Sequence, residues 1–76
     1  MEILTLDKLK LKDSAFVNEI TDDRIKCRLL ELGFVKGTII TPVFSSPFSD
    51  PVAYKINNML IALRTEEAKY VNVTLI

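Results

Sequence analysis

The sequence predicts a mainly β fold, a small barrel of about five strands with one α-helix after the first strand. The chain has 76 residues, which fit a single domain at residues 1–76. One segment has a sustained helical period, whereas the other patterned segments are short, rich in β-branched residues and separated by turn residues. SH3-like and OB-like barrels both fit this order of elements.

The chain opens with a predicted turn and a predicted strand. Thr5 precedes leucines spaced three apart, so we expect it to cap one helical turn at residues 6–9. Residues 15–20 mix aromatic and β-branched side chains, which indicates a first strand against the core.

The one clear helix is predicted at residues 24–32. Its apolar face carries Ile25, Leu29 and Leu32, and Leu30 widens it. Asp22 and Asp23 precede the helix as capping side chains, and Gly33 follows it where a positive φ is needed.

The second half of the chain predicts strands joined by turns. Residues 38–44 are β-branched, and Pro42 among them indicates an edge or a bulge. Turn residues fill a loop that ends at Pro51, and residues 52–63 form a hairpin around Asn57-Asn58. Two elements complete the chain: a single helical turn capped by Thr65, and a last strand at residues 70–75.

The residue inventory excludes several function classes. Ten basic and ten acidic side chains give a net charge of zero, without the basic block that nucleic-acid binding requires. No His is present, so Ser-His-Asp and Cys-His nucleophiles cannot be assembled. The single Cys27 cannot form an internal disulfide or a multi-cysteine zinc site. A surface function in a reducing compartment is the simplest expectation.

The first residues lack the basic and long apolar regions of a signal peptide. No apolar run approaches the roughly twenty residues that cross a bilayer. We therefore expect a soluble chain in the cytoplasm.

Phe48 is the most informative candidate for a binding residue. It lies in a loop flanked by prolines, where a large apolar side chain is hard to bury. Either it contacts a partner or its loop folds back on the barrel. Tyr54 either joins Phe48 in a surface patch or packs in the interior, and the small number of large side chains favours the interior.

Cys27 is a weak candidate for a metal ligand. Asp23 and Glu31 lie four residues away on either side, but this group offers one soft and two hard ligands without His. A small residue that faces the core is the better interpretation.

Four segments in order carry a family signature. Residues 6–9 read LDKL, as in the family's opening turn, and residues 28–38 read RLLELGFVKGT, like the pattern R-L-L-E-L-G-hydrophobic-x-x-G-T. Residues 46–52 read SPFSDPV, like A-P-L-G-D-P-hydrophobic, and residues 62–68 read ALRTEEA, like A-L-R-x-E-E-A. Together they resemble the FeoA family, small cytoplasmic proteins of bacterial ferrous-iron transport.

The resemblance implies an SH3-like barrel without enzymatic activity. Such a protein acts as an accessory or regulator of iron uptake by binding the cytoplasmic part of a FeoB-type GTP-binding membrane transporter. The alternative is a small transition-metal-binding protein for sensing or delivery. No cofactor and no metal ligand are assigned, and weak transition-metal binding rests on the resemblance alone. Neither nucleic acid nor direct membrane insertion is expected, and weak self-association stays open.

We expect the partner contacts at two places. One is the loop at residues 46–51, where Phe48 is the principal contact and Pro47 and Asp50 shape the loop. The other is the exposed face of the helix, with Arg28 and Glu31. Ser49 stands where the family has Gly, so we expect a rearranged loop there.

Overall fold

The computed structural model describes residues 2–76. Its strands are Ile3–Thr5 (β1), Ala15–Ile20 (β2), Ile39–Ser45 (β3), Val52–Ile56 (β4), Met59–Leu63 (β5) and Val71–Leu75 (β6). The helix Asp23–Glu31 (α1) follows β2, the short helix Thr65–Ala68 (α2) follows β5, and Leu6–Lys8 form a 3₁₀ turn. The predicted mainly β fold with one principal helix is confirmed, but it has six strands and not about five, and the helix follows the second strand because β1 precedes the strand predicted as the first.

All strand pairs are antiparallel, in the order β1-β6-β2-β3-β4-β5. β1 and β5 are therefore the two ends of the hydrogen-bonded order. β1 was not predicted from the sequence, because three residues are too short for a pattern. Its conformation is set by pairing with β6, in which Ile3 lies opposite Thr74.

The core gathers buried side chains from most elements of the fold. Leu29 is the buried residue of α1, and Ala68 is that of α2. The largest fully buried side chains are Phe34, Leu6, Leu29, Ile40, Ile56, Leu63, Val17, Val71, Val73 and Pro42. Burial of these side chains supplies most of the stability of so small a domain. The surface loops contribute less to stability, so they are available for function.

Both ends of α1 are as the sequence predicts. At the start, the Asp22 carboxylate accepts the backbone N–H of Arg24 at 2.9 Å. At the end, Gly33 has a φ of +107°. The N–H of Gly33 donates to the carbonyl of Leu30 at 3.1 Å, and that of Phe34 to Leu29 at 3.0 Å. This Schellman arrangement satisfies the last carbonyls of the helix and turns the chain so that Phe34 enters the core.

The predicted bulge and hairpin turn are also confirmed. The register between β3 and β4 shifts between Pro42 and Phe44, which accommodates a residue without a backbone N–H. Asn57 and Asn58 have φ values of +50° and +65°, as a two-residue hairpin turn requires.

One of the two predicted threonine caps is in its predicted position and the other is not. Thr5 is the N-cap residue of the 3₁₀ turn, although its side chain makes no capping hydrogen bond. Thr65 is the first residue of α2 and not its cap, a position held by Arg64. A tertiary contact explains why Thr65 is not the cap: its N–H and hydroxyl donate to the Asp50 carboxylate in a loop that is distant in sequence. No helix within residues 2–76 is long and apolar enough to cross a membrane.

Candidate partner-binding surface

The loop at residues 46–51 is closed by its own hydrogen bonds. The backbone N–H of Ser46 donates to the carbonyl of Pro51 at 3.1 Å, and that of Ser49 donates to the carbonyl of Ser46 at 2.8 Å. The Ser46 hydroxyl donates to the carbonyl of Asp50 at 2.6 Å and accepts the N–H of Asp50 at 3.1 Å. The loop therefore has a defined shape before any partner arrives.

Phe48 lies at the tip of this loop and is 90% exposed, more than any other large apolar side chain of residues 2–76. Pro47 beside it is exposed as well. The loop thus does not fold back to bury its aromatic ring on the barrel. An exposed aromatic side chain on an ordered loop is typical of a binding residue, and the partner contact stays a prediction.

Ser49 takes the conformation that glycine takes at little cost. Its φ is +66°, in the left-handed region. In this chain the N–H of Ser49 donates to the Ser46 carbonyl and closes the turn despite the strain. A rearrangement relative to the family's glycine-containing loop stays a prediction.

Asp50 joins the loop to α2. Its Oδ1 accepts the backbone N–H of Thr65 at 2.8 Å and the Thr65 hydroxyl at 3.2 Å. The Arg64 guanidinium lies 3.8 Å from Oδ2. A carboxylate at the start of α2 satisfies a donor that the helix leaves unpaired, so the same contact orders both the loop and the helix.

Glu67 joins α2 to α1. Its carboxylate pairs with the Arg28 guanidinium and also accepts the backbone N–H of Arg64 at 3.2 Å. The predicted residues Asp50 and Arg28 are therefore both held by contacts with the same short helix. Glu31 is exposed on α1 and belongs to none of these contacts.

The sequence prediction missed the residues that make this connection. Arg64, Thr65 and Glu67 all lie in the segment ALRTEEA at residues 62–68, whose sequence predicts a helical turn and contributes to the family resemblance but assigns these residues no contacts. Their contacts reach residues 15 and 39 positions away along the chain. The motif was the available signal, but the partners of its side chains depend on the fold.

Next to this connection a groove of about 300 Å³ separates the start of α1 from α2. It is lined by Asp22, Arg24, Ile25, Glu66, Glu67, Lys69 and Tyr70. Hydrogen bonds from the Arg24 side chain and backbone lower the pKa of Asp22. The lining carries charges of both signs, so it does not by itself select an ionic ligand.

Tyr54 belongs to the interior and not to a patch with Phe48. It is 2% exposed and lies opposite Pro42 and Ile61 on neighbouring strands. Burial raises the pKa of Tyr54 to about 12, and the charges of Asp7 and Asp50 add to the effect. The phenol therefore stays neutral near neutral pH.

Cys27 is exposed, and the expectation that it faces the core is wrong. With about 100° per helical residue, Cys27 is about 200° from both Ile25 and Leu29, which point inward. Leu30 is also more exposed than predicted, at 39%. Within residues 2–76, no three acidic or cysteine side chains gather closely enough to hold a metal ion. The residues around Cys27 thus do not fit a resident metal.

The family described as the FeoA domain matches residues 4–75. The chain belongs to the FeoA family. Its SH3-like fold is shared with a FeoA protein of Stenotrophomonas maltophilia, described as a procaryotic SH3 domain protein in complex with zinc. That structure is 40% identical with a TM-score of 0.83, and the match covers 92% of this chain and 88% of that one.

Two curated FeoA relatives differ greatly in length. The putative Fe(2+) transport protein A of Campylobacter jejuni is 32% identical over 74 residues, which cover 96% of this chain and all of that protein. The Fe(2+) transport protein A/Fe(2+) transporter FeoB fusion protein of Porphyromonas gingivalis is 36% identical over 74 residues. The match covers 96% of this chain but only 9% of the fusion protein.

Proposed function

We propose that this FeoA chain is a non-enzymatic accessory protein of ferrous-iron uptake that binds the cytoplasmic part of a FeoB-type GTP-binding transporter. The observation that carries the proposal is the relative in which a similar domain and FeoB form one polypeptide. A covalent connection keeps two domains at high effective concentration. A FeoA domain that is not joined to FeoB in this way reaches the transporter only through a non-covalent interface, so such an interface is the function to look for.

The surface around Phe48 supports this interface. Few residues of an interface carry most of its binding energy, and buried aromatic anchors are prominent among them. Phe48 is the exposed aromatic anchor, and Pro47 stiffens the loop beside it. The hydrogen bonds from Ser46 to Asp50 fix the loop beforehand, which lowers the entropy lost on binding.

The charged side chains of α1 would orient this chain on the transporter. Arg28 and Glu31 are both exposed on this helix. Exposed charges at the rim of an interface contribute mainly to the association rate and to the choice of partner. Since the whole chain has zero net charge, such local charges and not a global field would set the orientation.

The proposed action is binding and not catalysis. The chain lacks His, and its lone Cys27 is exposed without a close group of acidic side chains. Its site of action would be the cytoplasmic side of the membrane, next to the GTP-binding part of the transporter. Iron(II) in this proposal is the transporter's cargo.

The first experiment compares two exposed phenylalanines by titration calorimetry against the purified transporter. Phe48→Ala removes the loop anchor, and Phe44→Ala removes a Phe on β3 that is 57% exposed. We expect Phe48→Ala to weaken binding by about tenfold or more, as a loss of an anchor does. Phe44→Ala should bind like the wild type. Equal affinity of wild type and Phe48→Ala would contradict the proposed surface.

A charge exchange separates a direct contact of Arg28 from its support of α2. Arg28→Glu removes the ion pair with Glu67, whereas Arg28→Glu with Glu67→Arg restores an ion pair in reverse. If Arg28 contacts the transporter, both variants bind more weakly than the wild type. Recovery in the double variant would show that Arg28 only positions α2.

Metal delivery is the second candidate, favoured by the zinc complex of the S. maltophilia relative. The residues of this chain do not fit that function well, because Cys27 would be the sole soft ligand. Titration with Fe(II) or Zn(II) under reducing conditions decides it. Micromolar binding that Cys27→Ser abolishes would support metal delivery, and its absence would remove Cys27 from consideration.

A further inference from the structure

β5 is an edge strand without the usual protection. It ends the hydrogen-bonded strand order and pairs with β4 in an uninterrupted register. Its five residues, Met-Leu-Ile-Ala-Leu, include no charge and no proline. Natural edge strands are usually guarded by charges, prolines or bulges, because open backbone groups pair readily with another strand.

The hairpin turn determines which β5 backbone groups are open. Asn57 and Asn58 form a two-residue turn, so the flanking pair Ile56–Met59 is a hydrogen-bonded pair. Hydrogen-bonded and non-hydrogen-bonded pairs alternate along an antiparallel ladder. The pairs that Leu60 and Ala62 form with β4 are therefore non-hydrogen-bonded pairs. Leu60 and Ala62 direct their N–H and C=O groups away from β4. Both side chains are exposed, that of Leu60 to 62%.

We propose that β5 pairs antiparallel with β5 of a second copy of this chain, about a two-fold axis through Ile61. In this register Leu60 of each copy lies opposite Ala62 of the other. Each of these two pairs exchanges two backbone hydrogen bonds. The two sheets become one continuous sheet, and the apolar side chain of Leu60 is covered at the contact.

Charge and symmetry favour a second copy as the occupant. Neither β5 nor the whole chain carries a net charge, so two copies approach without repulsion. A two-fold pairing of β5 with β5 closes as a dimer, whereas head-to-tail pairing of β5 with β1 would give rings or open chains. β1 also has only three residues to offer.

The area that this contact buries is that expected of a weak dimer. Two five-residue strands bury less than the roughly 1,200 Å² of a stable interface. We therefore expect reversible dimerisation with a dissociation constant between about 10 μM and 1 mM.

Sedimentation velocity across protein concentrations tests the pairing and its register. Leu60→Glu places a charge at the contact, and within the chain it faces Lys55 on β4, which preserves folding. We expect dimerisation about tenfold weaker in this variant. Leu60→Glu with Ala62→Lys sets opposite charges across the two-fold axis and should restore it. Ile3→Glu on β1, where the side chain is 68% exposed, is the control and should dimerise normally.

Three results would overturn the proposal. The first is a wild-type chain that is monomeric up to about 1 mM, the upper limit set by the small interface. The second is unchanged dimerisation of a folded Leu60→Glu variant, with folding checked by circular dichroism. The third is loss of dimerisation in Ile3→Glu, which would assign the contact to β1. If the chain is monomeric and Leu60→Glu instead loses transporter binding, the occupant of the edge is a partner strand.

Discussion

Gly33 ends α1 and also lies against the β4–β5 hairpin. Its φ of +107° belongs to the region that residues with a side chain adopt at a cost. A Cβ atom built on it would approach the Asn57 side-chain nitrogen to 2.6 Å. Gly37 also has a positive φ, at +90°, but a Cβ there meets no atom within 4 Å. Backbone strain is therefore the cost that a side chain would meet at both positions, because the Asn57 amide is the end of a flexible side chain.

We expect Gly33→Ala and Gly37→Ala each to lower the free energy of unfolding by about 1 kcal/mol. Backbone strain is common to both, and the exposed Asn57 amide at the end of a flexible side chain can turn away from a new Cβ atom at little cost. Urea denaturation of the two variants measures both losses. A loss for Gly33→Ala that is larger by about 1 kcal/mol or more would contradict this, because it would show that the hairpin cannot give way at Asn57.

The raised pKa of Tyr54 predicts that the free energy of unfolding decreases at alkaline pH. Its pKa is about 12 in the folded chain against about 10 in the unfolded chain. The unfolded chain therefore releases this proton first as pH rises. The Tyr54 contribution is fully present below pH 10 and is lost between about pH 10 and 12, by up to about 3 kcal/mol. Denaturation of wild type and Tyr54→Phe across this range should show a flatter pH dependence for the variant, and parallel curves would contradict the assignment.

At the scale of elements, Asp50 is the connection between the loop at residues 46–51 and α2. We expect Asp50→Ala to lower the free energy of unfolding by about 1–2 kcal/mol, because the N–H of Thr65 loses its acceptor. Asp50→Asn retains an acceptor oxygen and should lose about half as much. Thermal unfolding of both variants measures this. A loss as large for Asn as for Ala would indicate that charge, through Arg64, dominates the connection.

The elements that the sequence predicted well are those whose determinants are local. α1 has its cap, its apolar period and its terminal glycine within a dozen residues, and the β4–β5 hairpin has its turn at Asn57 and Asn58. β1 and Thr65 were missed or misassigned because their partners, Thr74 and Asp50, are distant in sequence. Cys27 was misassigned because the buried face of α1 is narrower than its apolar composition indicates.

The same distinction applies to the candidate surface. The proline-flanked position of Phe48 is a local property that makes it the best candidate, but only the structure decides between an exposed ring and a loop folded on the barrel. The role of α2 as the common support of Asp50 and Arg28 is not a local property either, because it depends on how three separate segments meet. A motif thus located the residues, and tertiary structure supplied their contacts.

At the scale of the whole molecule, a small neutral barrel holds one exposed aromatic loop in a fixed shape. Eleven large apolar side chains within residues 2–76 are exposed, and scattered exposure of this kind is normal, so only an unusually exposed side chain or an open edge points to function. Phe48 is the most exposed of these within residues 2–76, and β5 supplies a separate open edge. Binding at the loop and pairing at the edge use different residues and are tested by different variants.

Site-specific photo-cross-linking in cells shows whether Phe48 contacts the transporter. A photoreactive benzoylphenylalanine replaces Phe48 in cells that contain the FeoB-type transporter, and a second chain carries it in place of Phe44 as the control. We expect a cross-link from position 48 to the cytoplasmic part of the transporter and none, or far less, from position 44. A cross-link to the transporter from position 44 alone, or from neither position while the two proteins co-purify, would contradict it.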